Sequence, residues 1–205
     1  MRRVFVAAAV GLVLLGACGR GDNPTVAGGG TTVAEGAEGD AGGSRNEADL
    51  TFAQGMIVHH QQAVEMADHV LERGEAADVK ALAQRIKDAQ SEEIDLIRGW
   101  LAEWGEEEAP ADTPHGGGDG TDMKAKEEAG AKAKADMEAL ANAEGAELDK
   151  MFLEMMIPHH EQAIAMAETE VEEGEFADAI ALAERIISDQ RAEITEIQGL
   201  LAGRE

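Results

Sequence analysis

Residues 52–102 and 152–202 align without a gap and are identical at 26 of 51 positions. A repeat of this length, spaced by one hundred residues, commits the chain to two copies of one supersecondary unit. Each copy carries a His-His pair flanked by methionines. The first reads Met56-Ile-Val-His59-His60 and reaches Met66; the second reads Met156-Ile-Pro158-His159-His160 and reaches Met166. In both, a Met lies three residues before the first His and another seven after it.

Within a copy the apolar residues recur at helical spacing. Phe52, Met56, His59, Ala63, Met66, Ala67 and Val70 fall on one face of a 3.6-residue helix. Asn46 is the expected N-cap, with Asp49 in the first turn, and Gly74 is the expected stop. A second helix is predicted from about Ala76 to Trp104, its inner face carrying Val79, Leu82, Ala83, Ile86, Ile94, Ile97 and Leu101. The turn between them is short, so the helices are antiparallel neighbours. One such hairpin cannot bury its apolar face alone. Two of them packed face to face give an all-α fold, a four-helix bundle with an internal two-fold relation. The hairpins are placed at 46–104 and 146–205 within one domain. The Gly- and Pro-rich stretch 105–145 is the linker, with Thr121–Asn142 expected as a solvated connecting helix and His115 as a solvated His. Trp100 and Trp104 fall at a helix end and are expected to cap the bundle.

The N-terminus reads as a targeting segment. Arg2 and Arg3 precede Val4–Leu15, an apolar run too short to be taken first as a membrane span. It ends in Leu15-Gly16-Ala17-Cys18, which looks like a bacterial lipoprotein signal: residues 1–17 would be removed and Cys18 lipidated. The alternative is an ordinary secretory signal with a chance Cys. Cys18 is the single Cys in the chain, so the mature protein would have no disulfide and no free thiol. Residues 18–45 carry few large apolar side chains and are read as a flexible tether. The protein is thus expected at the extracytoplasmic face of the membrane, touching it through the lipid alone. A formal net charge of −25 repels phosphate backbones and argues against nucleic acid as a partner.

Polar residues interrupt the apolar faces. Gln90 and Glu93 sit among Ile86, Ile94 and Ile97, and Gln190 and Glu193 among Ile186, Ile194 and Ile197. His59 and His159 are central on their helices, while His60 and His160 are placed at the edge of the face, nearer solvent. An unsatisfied buried polar group costs about 1–3 kcal/mol. Six such groups would cost about 6–18 kcal/mol, as much as the whole stability of a typical domain, about 5–15 kcal/mol. They must satisfy one another, a water or a metal, and pairing of His with Glu inside each hairpin is geometrically reasonable. A closed hydrogen-bond network that fixes helix register is the structural reading. The functional reading is a transition-metal site. His59, His60, Met56, Met66 and Glu93, with His159, His160, Met156, Met166 and Glu193, are the candidate ligands, and Gln90 and Gln190 support them. Imidazole with thioether points to copper, Cu(I) above all; without thioether ligation, zinc, iron or Cu(II) would serve as well. The methionines also read as ordinary core filler. Pro158, inside the third helix, is expected to kink it just before the His pair and to free the carbonyl of Glu154 there; the alternative is that the helix starts at Pro158 itself.

The pattern Met-Ile-x-His-His-x-Gln-Ala-[Val/Ile]-x-Met-Ala, followed some 20 residues later by Gln-x-x-Glu-Ile, resembles the bacterial domain-of-unknown-function 305 family. The resemblance covers about Leu50–Trp104 and Leu148–Ala202. It implies a ferritin-like helical bundle, secretion or lipid anchoring, and, for some members, copper binding outside the cytoplasm. The first copy departs from the second in having Val58 for Pro158 and Gly55 for Met155, so the halves are not equivalent. Di-iron bundles use a Glu-x-x-His motif, which neither helical hairpin contains, so a di-iron oxidase is disfavoured. The expectation is an extracytoplasmic, lipid-anchored metal-binding protein for copper sequestration or handling, with catalysis not expected. The alternatives are a structural or interaction bundle and a metal-dependent enzyme.

Overall fold

Asn46 starts the first helix as the sequence predicts. Its side chain accepts hydrogen bonds from the amides of Ala48 and Asp49, and the Asp49 carboxylate accepts from the Asn46 amide at 2.6 Å, a reciprocal capping box. The computed structural model describes residues 43–110 and 123–204. The leader, Cys18, the tether as far as residue 42 and His115 lie outside the described residues.

Five helices follow in order: α1 (Glu47–Arg73), α2 (Ala77–Trp104), α3 (Met123–Asn142), α4 (Gly145–Glu173) and α5 (Ala177–Ala202). Among the described residues there is no strand, only one isolated bridge between Gly74 and Gly145. The left-handed backbone at Gly105, φ +71°, ends α2 at low cost because glycine has no Cβ. No helix of the described residues is long and apolar enough to cross a membrane.

α1 packs on α2, and α4 packs on α5, so each repeat is an antiparallel hairpin. The hairpins join along a seam between α1 and α4. The seam is antiparallel. Phe52 and Met56, early in α1, share a core with Ala163 and Ala167, late in α4. Met66 and Val70, late in α1, share the other core with Leu148, Phe152 and Met156, early in α4. Each large apolar side chain buried in these cores contributes about 1.5–3 kcal/mol. Across the bundle, α2 and α5 meet through long side chains, Arg85 to Glu196 at 2.5 Å.

Two carboxylates lock the hairpins end to end. Neither α2 nor α5 has a side-chain cap of its own. The amides entering α5, those of Glu175 and Phe176, donate to Asp49 of α1, the latter at 2.9 Å. The amides entering α2, those of Glu75 and Ala76, donate to Asp149 of α4, the latter at 2.7 Å. Both carboxylates are buried, so water cannot replace these bonds.

Two expectations are corrected. The connecting helix α3 is solvated only in part: residues 130–135 are exposed, but Leu140 is fully buried and α3 packs over α1 and α4. Its last turns carry Met137 and Leu140, which the second core takes up. The carbonyl freed by Pro158 does not serve the core. α4 runs unbroken through Pro158, and both Pro158 and Glu154 are exposed, so the interrupted rung faces water.

Candidate metal site

α1 is buried on two sides, by α2 and by α4, and its residues 56–60 are all buried in succession. The His pair therefore splits between two neighbours. His59 faces the seam, where its ring lies 3.7 Å, centroid to centroid, from that of His159. His60 faces its own hairpin, where Nε2 is 2.7 Å from a carboxylate oxygen of Glu93 on α2. The second repeat does the same: Nε2 of His160 is 2.6 Å from Glu193 on α5.

This corrects the placement read from helical spacing. His60 and His160 are not at an edge near solvent; both are fully buried. It is they that hydrogen-bond to the glutamates. His59 is fully buried, whereas His159 is only partly buried. The ring centroids of His59 and His60 are 6.2 Å apart, and those of His159 and His160 are 6.4 Å apart. The four imidazoles form a row across the middle of the bundle, between the two cores, with Glu93 at one end and Glu193 at the other.

The electrostatics of the row follow from its ends. A carboxylate only accepts, so Nε2 of His60 and of His160 carries the hydrogen and donates it. In the neutral ring that leaves Nδ1 as the basic nitrogen. Nδ1 of His60 and Nδ1 of His160 are buried and have no hydrogen-bond partner. Gln90 and Gln190 are buried too, and the amide oxygen of each is likewise unpartnered. Such atoms each cost about 1–3 kcal/mol unless something satisfies them.

The thioethers stand close by in sequence and partly in space. Met56 and Met156 are fully buried one turn before the His pairs, on the same helix face as His60 and His160. Met66 is buried, and Met166 is partly exposed. The methyl of Met166 lies against Gly55 across the seam: a Cβ added there would stand 2.9 Å from it. Among the described residues no three His, Cys, Asp or Glu side chains converge into a cation-binding set. The glutamates are tied to His Nε2. The donors left over are imidazole nitrogen and thioether sulfur, a set that suits a soft ion over magnesium, calcium or a carboxylate-bound iron pair.

Two features of the bundle were not evident from helical spacing. One is the contact between the two halves through His59 and His159. The other is the pair of capping carboxylates, although Asp49 and Asp149 are themselves a repeated pair just outside the aligned block.

Residues 49–201 match the family model of a domain of unknown function, DUF305. Among solved structures, a Streptomyces coelicolor DUF305 protein described as secreted is 31% identical, with a TM-score of 0.65, over 77% of this chain and 93% of that one. A DUF305 fragment from Deinococcus radiodurans is 28% identical, with a TM-score of 0.62, over 78% of this chain and 99% of that one. CopM in its Cu(II)-bound form is 30% identical, with a TM-score of 0.61, over 77% of this chain and 97% of CopM. CopM is also known in Cu(I)-bound and silver-bound forms. No curated protein sequence matches the chain.

Proposed function

The chain belongs to the DUF305 family, and we propose that it binds copper, as Cu(I), through the imidazoles and thioethers at the centre of the bundle, for sequestration or handling outside the cytoplasm. The observation that carries this reading is the doubled Glu–His arrangement. Glu93 and Glu193 fix the Nε2 hydrogens of His60 and His160 and leave a buried, unpartnered Nδ1 on each ring. A carboxylate that orients a histidine and raises its basicity is the usual second partner of a metal-ligating imidazole. His59, His60, Met56 and Met66 would serve one half, and His159, His160, Met156 and Met166 the other. The similarity to CopM, which is known with Cu(I), Cu(II) and silver, supports the choice of metal. The lipoprotein-like leader and the likeness to a protein described as secreted support an extracytoplasmic location, with Cys18 as the lipid attachment.

Titration of the full chain with Cu(I) against a competing chelator tests the metal. The wild type is expected to take up copper, and His60→Ala/His160→Ala is expected to lose at least about ten-fold in affinity. Equal affinity in the two proteins, or no uptake by the wild type, overturns the reading. Labelling of cells with a radioactive fatty acid tests the anchor: Cys18→Ala is expected to remove the label.

The second reading is a structural bundle in which the row of rings only fixes register. The close, tilted contact of His59 with His159 across the seam favours it, because two such rings align the hairpins without any guest.

A further inference from the structure

The two ends of the bundle are related by the internal repeat, yet one of them holds an extra acid. At the far end, where α2 begins, Asp149 accepts the amides of Glu75 and Ala76, and its neighbour from the facing hairpin is Val70. A Cβ added at Gly74 would stand 2.5 Å from Asp149 Oδ1 and 3.1 Å from Val70 Cγ1. At the near end, where α5 begins, Asp49 accepts the amides of Glu175 and Phe176, and the residue related to Val70 is Glu170. The place beside Gly174 is taken by Glu170 itself: a Cβ there would stand 2.5 Å from its Oε1.

Glu170 is 1% exposed. Among the described residues neither of its carboxyl oxygens receives a hydrogen bond, and its polar neighbour is the carboxylate of Asp49. Two ionised carboxylates cannot share a dry site, and a single proton removes the conflict by giving Glu170 an O–H that donates to Asp49. The proton belongs on Glu170. Burial pushes its carboxyl up to about 8, with the hydrogen bond to Asp49 and the charge of Asp49 adding to the rise. Burial acts on Asp49 in the same sense, but the amides of Asn46 and Phe176, the Glu170 side chain and the Glu175 amide outweigh it and hold that carboxyl below its ordinary value. Asp49 thus keeps the charge that faces the start of α5, where negative charge is favoured.

Among the described residues no cation relieves the pair. The charged groups on the elements that meet here include Arg45 and Glu47 at the entry to α1, Glu103 at the end of α2 and Glu106 just after it, Glu172 and Glu173 at the end of α4, and Glu175 and Asp178 at the start of α5. Arg45 is engaged elsewhere, 2.8 Å from Glu106 and 5.1 Å from the centroid of the Trp104 ring.

We infer that Asp49 and Glu170 form a proton-held clasp between the hairpins: with the proton on Glu170 the start of α5 is locked to α1, and without it this end of the bundle loosens while the end built on Asp149 and Val70 does not. The clasp stands apart from the metal layer. Met166 precedes Glu170 by one turn, but its methyl sits at Gly55, six residues and about 9 Å along α1 from Asp49.

The fold supplies its own reporter. Phe176, whose amide Asp49 holds, packs edge-on against Trp100 and Trp104 at 5.5 and 5.2 Å. These are both tryptophans of a chain with no tyrosine, so intrinsic emission reads this end alone. Emission of the full chain is followed from about pH 6 to 9.5, the span across which a raised carboxyl titrates, together with amide exchange corrected for intrinsic rate. The wild type is expected to show a red shift with a midpoint near pH 8, and a loss of protection at Glu175 and Phe176 without a matching loss at Glu75 and Ala76. Glu170→Gln keeps a neutral donor and is expected to abolish the transition with the end closed. Glu170→Val, which copies the far end, is expected to do the same. A wild type with no transition in this range, equal loosening of both ends, or a transition that persists in Glu170→Gln overturns the inference.

Discussion

The ring of His59 lies 3.7 Å from the ring of His159, across the seam where two copies of one sequence meet. This contact separates a structural role from a metal role. Stacked apolar side chains can fill the same space without polar atoms, and such replacements in buried polar layers are often neutral or stabilising. The double variant His59→Leu/His159→Leu is expected to unfold cooperatively, within about 2 kcal/mol of the wild-type stability, and to lose Cu(I) affinity. Loss of cooperative thermal unfolding would assign the pair to the fold instead.

In the proposed site Glu93 and Glu193 would act on the metal through His60 and His160, whose Nε2 atoms they hold at 2.7 and 2.6 Å. Replacing each by Gln keeps the shape but removes the charge that fixes the ring. Copper affinity of Glu93→Gln/Glu193→Gln is expected to fall about 10- to 100-fold, measured by chelator competition. Urea denaturation of the same protein is expected to show a smaller change, about 1–3 kcal/mol, from weakening two charge-assisted hydrogen bonds.

Gly55 sits inside α1, where an alanine would favour the helix by about 0.5–1 kcal/mol. Its Cβ would displace the Met166 methyl, 2.9 Å away, and crowding in a packed core costs about 1–3 kcal/mol when the neighbour cannot move. Here the neighbour is the free end of a flexible side chain, so the two effects nearly cancel. Gly55→Ala is expected to change stability by less than about 1 kcal/mol, while the Met166 methyl resonance shifts and copper affinity falls if that thioether is a ligand.

The pH dependence of stability follows from two carboxyls of opposite sense. Glu170 in the fold holds its proton to about pH 8 against an ordinary value of 4.5. Its stabilisation is fully present below the ordinary value and is lost as pH rises towards 8, at no more than about 1.4 kcal/mol per pH unit. Asp49 is held below its ordinary value of 3.8. Its contribution is present above that value and is lost as pH falls through the lower one in the fold. Urea denaturation at several pH values is expected to show Glu170→Val with a flatter profile between about pH 5 and 8 than the wild type, and Asp49→Asn with a flatter profile below about pH 4.

Much of this bundle was legible in the sequence because the signals are local. The repeat, the two hairpins, the cap at Asn46 and the stop at Gly74 each rest on a few neighbouring residues. The His pairs were legible as polar residues in need of partners, but not in which ring takes which partner. A helical wheel with one inner face assigns His59 to the core and His60 to its rim. α1 is covered by α2 on one side and by α4 on the other, so the unbroken run Met56-Ile57-Val58 was the better guide to burial. Glu170 was hidden for a different reason. Against the periodicity of α4 it is one more acidic residue in a chain with 42 of them, and only its alignment with Val70 marks the position as buried.

The exchanged caps have a consequence for how the chain folds and how it arose. Each hairpin begins its second helix on a carboxylate that the other hairpin supplies, from 73 to 127 residues away in sequence. Neither hairpin is therefore complete alone, and the bundle is expected to form in one cooperative step that waits on long-range contact. A single repeat could meet the same need by pairing with a second molecule of itself, as a symmetric dimer. Fusion of two repeats turns that encounter into an intramolecular one, at an effective concentration that dilution cannot lower, and it frees the two halves to diverge. Gly55 opposite Met166 and Glu170 opposite Asp49 are differences that an obligate symmetric dimer could not hold.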